Sequence, residues 1–553
     1  MASSTLPQHD PDPVARRGAL ESARARYVYD PTVLPPFNLH GELPADERLG
    51  VAHLSERLAA AARAPANALA VRLRNLFDPF DELQDYDDLF ALVARPPIAD
   101  TWRSDAAFAE QRLSGVEPRV LRRLDVLPDH LRVDPALFAA IAGEPLDRAG
   151  FEGRLYLADY ALLDGLPPGG SREHSRFLYA PLVLYHWAED PDATRDTPPA
   201  HRGRLLPVAI QLDQTPSRTN LYTPRDGLDW LLARTVAQSA DFTLSTLAHH
   251  LARVHLGLGP FAMATARQLG EAHPIGRLLR PHLRHLLAQD ELSRRLLLGP
   301  GGAVERLFGP TREGSLELLG RSFRAWRLDD AALPRDLERR GLADPTLLPH
   351  YPWRDDGRLV WDALAEFVAA YVRLVYPTDL DLALDVELRA WHGELADPAC
   401  GNLRGLPPDL DLTSLADLLT AVIFTGGPDH AATSYRLPEY AAHVPNYPAA
   451  LYSPMPAVRG VADDAALLAM LPPQAASLEQ LELVAQLSAY QHDQFGHYEH
   501  DDQLHEPPEL QELVVTFQER LVSAEARILE RNRDRPVPYL GMLPSRLANS
   551  PGV

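Results

Sequence analysis

Ser239-Ala240-Asp241-Phe242, then Ala248-His249-His250-Leu251-Ala252-Arg253-Val254-His255, then Pro260-Phe261 and Ala264-Thr265-Ala266-Arg267-Gln268-Leu269, form the stretch whose reading decides the fold. Its apolar residues recur three and four apart, which predicts helix. Inside it His250 and His255 are spaced H-x4-H. In a chain with 21 histidines such a pair is expected about once by chance, so the spacing needs context before it means a metal. On a regular α-helix, residues five apart diverge by about 140°, which is poor for binding one ion. A π-type bulge with i→i+5 bonding would bring both onto one face. A functional pair therefore predicts a locally distorted helix. A structural pair predicts a regular one.

Helical periodicity continues on both sides, from Asp229 to Arg531, broken by Pro/Gly-rich loops near 299–313, 345–357 and 401–411. Upstream the text changes. Runs at 154–163, 176–187 and 204–212 are rich in Leu, Val, Tyr and Ile and separated by turn residues, which predicts a small antiparallel sheet. Residues 1–35 hold Pro, Asp and Arg with little apolar periodicity and read as a mobile arm. The fold class expected is mainly α: one large helical domain over 36–553 with a small β insertion.

The 553 residues carry a formal charge of −22, with 46% hydrophobic and 24% charged side chains. That composition is globular, and its sign argues against a nucleic-acid partner. All 54 basic residues are Arg, so Schiff-base and Walker-type lysine chemistry is excluded. The single cysteine, Cys400, excludes disulfide frameworks and thiolate metal sites. No stretch is long and apolar enough for a membrane span, and Met1–Arg26 has no apolar signal core. The expectation is a soluble, cytoplasmic monomer without stable membrane insertion.

The ordered text resembles the lipoxygenase family. Leu205-Leu206-Pro207-Val208-Ala209-Ile210-Gln211-Leu212, Gln214-Thr215-Pro216, Asp229-Trp230-Leu231-Leu232-Ala233, the 250–255 block and His273-Pro274-Ile275 through Pro281-His282 follow the family's order and spacing. Asp429-His430-Ala431-Ala432-Thr433-Ser434 is similar to its second metal helix, and Tyr539-Leu540-Gly541 through Val553 to its terminal motif. Trp102-Arg103-Ser104-Asp105 and the text to Val116 also fit, so the resemblance runs from about residue 95 to the last. The N-terminal β-barrel of plant and animal members has no counterpart, which implies a minimal, bacterial-type lipoxygenase.

The resemblance implies a non-haem iron site on helices at about 230–300 and 412–440 and on the tail 539–553. Its ligands would be His250, His255, His430 and the Val553 carboxylate, with Ser434 a weak fifth where the family usually has Asn. The catalytic group implied is a metal-bound hydroxide, with no side-chain base. It would take a bis-allylic hydrogen from a polyunsaturated fatty acid such as linoleate or arachidonate, and O2 would add to give a conjugated hydroperoxide. Fungal manganese lipoxygenases also end in Val, which keeps manganese as the alternative metal. A catalytically inactive lipid-binding relative is the alternative function. Phe242, Leu307 and Phe308 match positions that set pocket depth, Ser293 the position tied to stereochemistry, and Leu297 and Val304 the oxygen path. Bulky residues at 307 and 308 imply oxygenation near the methyl end, at the 13- or 15-position.

Other histidines read as structural. His249 points about 100° from His250, and His273 and His282 match packing positions. His443 and the group His492, His497, His500 and His505, interleaved with Asp, Glu and Tyr, read as a solvated acidic surface.

Overall fold

The computed structural model describes residues 5–50, 55, 59, 62–75, 79–217, 219–488, 493–498, 504 and 508–552. Asp12 caps helix α1 (Pro13–Arg26) by accepting from Ala15 N, and a hairpin of β1 (Tyr29–Leu34) and β2 (Phe37–His40) follows. The expectation of an arm over 1–35 is corrected here for the described residues. Helix α1 buries only Leu20 and Ala23, so it shows little apolar periodicity. Charge pairing fastens it instead: Arg16 donates to Asp10 at 2.8 Å and to Glu387 at 2.5 and 2.7 Å.

Helix α2 (Asp105–Ser114) leads into an antiparallel sheet in sequential order: β3 (Leu121–Leu124), β4 (Leu155–Asp159), β5 (Leu182–Glu189), β6 (Gly203–Gln211) and β7 (Leu221–Tyr222). The period-two alternation divides its faces. Leu155, Leu157, Leu182 and Leu184 pack under Phe138 and Val133, while Tyr156, Ala158, Val183 and Tyr185 face the main core. Burial on both sides explains why the strands read as near-continuous apolar runs. Pro207 sits opposite Tyr185 at a bulge, where a missing N–H is tolerated.

The rest of the described chain is mostly helical. Helix α3 (Leu228–Thr243), a π-helical segment (Leu244–His255) and α4 (Leu256–Gln268) make one continuous rod. Nearly every residue of that rod is buried, as a centrally placed helix requires. Around it lie α5 (Pro274–Leu283), α6 (Leu286–Leu296) and the short α7 (Ala303–Leu307). A second rod joins α9 (Leu412–Phe424) to α10 (His430–Ser434) through another π segment (Thr425–Asp429), and α8 (Pro352–Val375) packs along it. Helix α8 starts inside the 345–357 stretch read as loop, because Pro352 occupies its first turn, where no N–H is needed. Helices α11 (Gln474–Ser488) and α12 (Pro508–Arg531) complete the bundle. Among the described residues no helix is long and apolar enough to cross a membrane.

Candidate metal centre

The distortion that H-x4-H requires is present. The π segment carries both His250 and His255, and their Nε2 atoms lie 3.0 Å apart. His430, the first residue after the second π segment, brings its ring to 4.9 Å from His250 and 5.1 Å from His255. The three ligating atoms all lie within 4.8 Å of one another, and all three residues are buried. Among the described residues no other group of His, Cys, Asp or Glu is arranged in this way. Ser434 Oγ points at the same centre, 3.1 Å from His250 Nε2 and 3.2 Å from His430 Nε2. Burial, followed by the neighbouring His255, holds His250 far below the usual imidazole range, so its lone pair is available. Convergent neutral nitrogens with one hydroxyl oxygen fit a first-row transition metal better than a hard cation. Val553 lies outside the described residues.

The tail leading to Val553 is threaded past α5 and the second rod. His282 Nδ1 lies 3.0 Å from the Asn549 carbonyl, and Ser550 Oγ donates to the Arg284 carbonyl at 2.6 Å. The Asn549 amide donates to the Gln494 and His497 carbonyls and its oxygen accepts from Gly496 N. A side chain at Gly427 would meet the Ala548 carbonyl at 2.7 Å, so glycine lets the tail cross the second π segment. His282 is thus a tail anchor, and burial pushes it down to about 4. His273 caps α5, its Nδ1 accepting from Ile275 N while Nε2 faces Asp385 at 2.9 Å.

Charged side chains surround the ligands. Asp290 Oδ1 lies 3.4 Å from Nδ1 of His255, and burial raises the Asp290 carboxyl to about 7. Nδ1 of His249 lies 2.5 Å from Glu117, which also pairs with Arg119. Burial would raise the Glu117 carboxyl, but Arg119 and His249 outweigh it and hold it well below the usual range. Sequence reasoning missed Glu117, Arg119 and Asp290, since nothing in their local text marks partners that lie more than a hundred residues away for Glu117 and Arg119 and on a different helix for Asp290. His443 corrects the surface reading: it is 3% exposed, with Trp102 against its ring at 5.7 Å. His497 is exposed, whereas His492, His500 and His505 lie outside the described residues.

A cleft opens against the three histidines. Leu247 and Leu251 line it from the π segment, Ser293 and Leu297 from the α6 side, Val304 and Phe308 from α7 and its end, and Leu483 and Leu487 from α11. Thr246, Gln289 and Gln486 add polar points that sequence reasoning did not single out. Two expected pocket residues do not line it. Phe242 is fully buried, its ring centroid 5.3 Å from that of Phe308 and 5.5 Å from that of Tyr447. Leu307 is 3% exposed and packs into the core.

Fold and site together define a helical metalloprotein with a three-histidine centre at the wall of an apolar cleft. The lipoxygenase family model matches residues 199–538, and the chain belongs to the lipoxygenase family. It is 33% identical over 492 residues to the linoleate 9/13-lipoxygenase of Pseudomonas aeruginosa, an alignment covering 86% of this chain and 70% of that protein. The anaerobic crystal structure of delta413-417:GS LOX in complex with arachidonate matches at a TM-score of 0.91 and 28% identity, covering 100% of this chain and 84% of the other. The manganese lipoxygenase of Gaeumannomyces graminis shares the fold at a TM-score of 0.84 and 23% identity, over 100% of both chains. Lipoxygenases bind a catalytic non-haem metal, iron or manganese, and His250, His255 and His430 are placed to hold one.

Proposed function

We propose that the protein is an iron lipoxygenase that converts a polyunsaturated fatty acid and O2 into a conjugated hydroperoxide oxygenated near the methyl end. The observation that carries this reading is the burial of three convergent imidazoles at the wall of an apolar cleft. When bound, the metal supplies one-electron oxidation and acceptance of the bis-allylic hydrogen. Everything else falls to the chain. Leu247, Leu251, Leu297, Val304, Leu483 and Leu487 offer an acyl chain apolar contact and keep water from the reacting carbons. Apart from the three histidines, the cleft-lining side chains among the described residues are Thr, Ser, Gln, Leu, Val and Phe, none of which is a base that competes for the hydrogen. Phe308, backed by Phe242 and Tyr447, sets how far the methyl end enters. Tyr447 is itself fixed by donating to the buried Asp241 at 2.6 Å. Ser293 lines the wall where facial selection of O2 would act. We place the enzyme in the cytoplasm as a monomer.

The test is conjugated-diene formation from linoleate in air, on protein whose metal content has been measured. Diene formation with about one iron per chain supports the reading. The same product with manganese keeps the chemistry and changes the metal. Bound iron with no product from several polyunsaturated acids would make the chain an inactive lipid-binding relative.

A further inference from the structure

The residues before two of the three histidines meet around a single arginine, one directly and one through a carboxylate that the arginine holds. His249 precedes His250 on the first rod, and its Nδ1 lies 2.5 Å from Glu117 Oε2. Asp429 precedes His430 on the second rod, and both its carboxylate oxygens accept from Arg119 Nη1, at 2.6 and 2.7 Å. Arg119 also donates to Glu117, from Nη2 at 3.0 Å and Nε at 3.2 Å, and from Nη2 to Thr433 Oγ1 at 3.2 Å. Trp353 packs against the guanidinium, 5.6 Å from ring centroid to Cζ. The cluster is built in: Glu117 is fully buried, and the Arg119 and Asp429 side chains are 13% and 15% exposed. Glu117 and Arg119 flank Pro118 in a short turn between α2 and β3, an element belonging to neither rod.

The geometry matters because the first rod is π-helical where it carries His250 and His255, and the second is π-helical up to the residue before His430. Neighbouring turns there lack the usual i→i+4 ladder, so the ligands need their separation fixed from outside. A planar guanidinium engages both carboxylates at once with fixed spacing, which a lysine ammonium cannot reproduce. We infer that Arg119 is a positioning residue that, with Glu117, clamps the His250-bearing and His430-bearing helices at the separation a shared metal needs. This rests on the three-histidine metal reading proposed above.

The test uses the full chain stripped of metal with a chelator and titrated with Co2+ alone. Its readouts are the dissociation constant, the visible ligand-field spectrum and thermal melting of the metal-free protein. Wild type binding one Co2+ that His255→Ala loses establishes the site; absence of such binding in wild type refutes the metal reading itself. With that established, Arg119→Lys and Asp429→Asn are each expected to weaken Co2+ binding by about tenfold or more and to alter the ligand-field bands, the scale seen when groups orienting metal ligands are lost. A role confined to fold stability would lower melting and leave both metal readouts unchanged. Wild-type affinity and spectrum in Arg119→Lys and Asp429→Asn would overturn the clamp. Should one variant fail to melt cooperatively, the other decides.

Discussion

Three imidazole nitrogens held within 4.8 Å of one another leave no room for charge, and burial keeps His250 neutral. A cation arriving among them replaces mutual crowding with ligation, so removing one nitrogen removes most of the affinity. His255→Ala is expected to lose the metal on dialysis against a chelator. Ser434→Ala removes only a hydroxyl, worth about 1 kcal/mol, and should retain the metal with less than a tenfold loss by the same assay. The cleft separates two neighbours in a similar way. Phe308 lines it and Leu307 does not, so Phe308→Ala should move oxygenation away from the methyl end while Leu307→Ala keeps the product. Positional analysis of the reduced hydroperoxides checks both. At this scale the convergence of His250, His255 and His430 was legible because each sits in a dense local motif. Asp290 and Glu117 were not, since they meet His255 and His249 across long separations in the chain.

Helical elements are where spacing becomes geometry. H-x4-H in 250–255 demanded a π distortion, and Leu244–His255 has one. The second π segment, Thr425–Asp429, went unread although Gly426-Gly427-Pro428 inside a helical run is a local mark of distortion. Its glycines serve the tail, which crosses where a Cβ at Gly427 would press on the Ala548 carbonyl. Gly552 is tighter still: a Cβ there would come within 2.6 Å of His285 C and 2.7 Å of Leu286 N, backbone atoms that cannot yield. Gly552→Ala should therefore push the end of the tail off its seat against the start of α6. The expected outcome is metal retention reduced at least tenfold, with melting of the metal-free protein nearly unchanged. A loss of stability with metal retention intact would show that the tail's seat is only structural.

Across the whole molecule, the sheet and the helical mass were legible because burial writes continuous apolar runs and 3.6-residue periodicity into the text. The N-terminal segment was not, because Arg16 and its carboxylates hold α1 in place of an apolar face. His443 was misplaced for a different reason: it was read together with the polar 491–505 stretch, although its own neighbours Ala441, Ala442 and Val444 are apolar and Trp102 packs against its buried ring. That burial has a consequence for acid stability. Desolvation, with a smaller opposing pull from Asp87, holds His443 down at about 4, below the roughly 6.5 of an unfolded chain. Between those values the unfolded state binds the extra proton, so stability is complete above about pH 6.5 and falls as the pH drops toward 4. The loss attributable to His443 is about 2 to 3 kcal/mol at pH 4.5. Neither ring nitrogen has a hydrogen-bond partner among the described residues, so phenylalanine can take its place without stranding a polar group. His443→Phe should match wild type in denaturant midpoint at pH 7 and exceed it at pH 4.5. Urea unfolding of both metal-free proteins at the two pH values measures the gap, and parallel curves would mean that His443 stays accessible to protons in the folded chain.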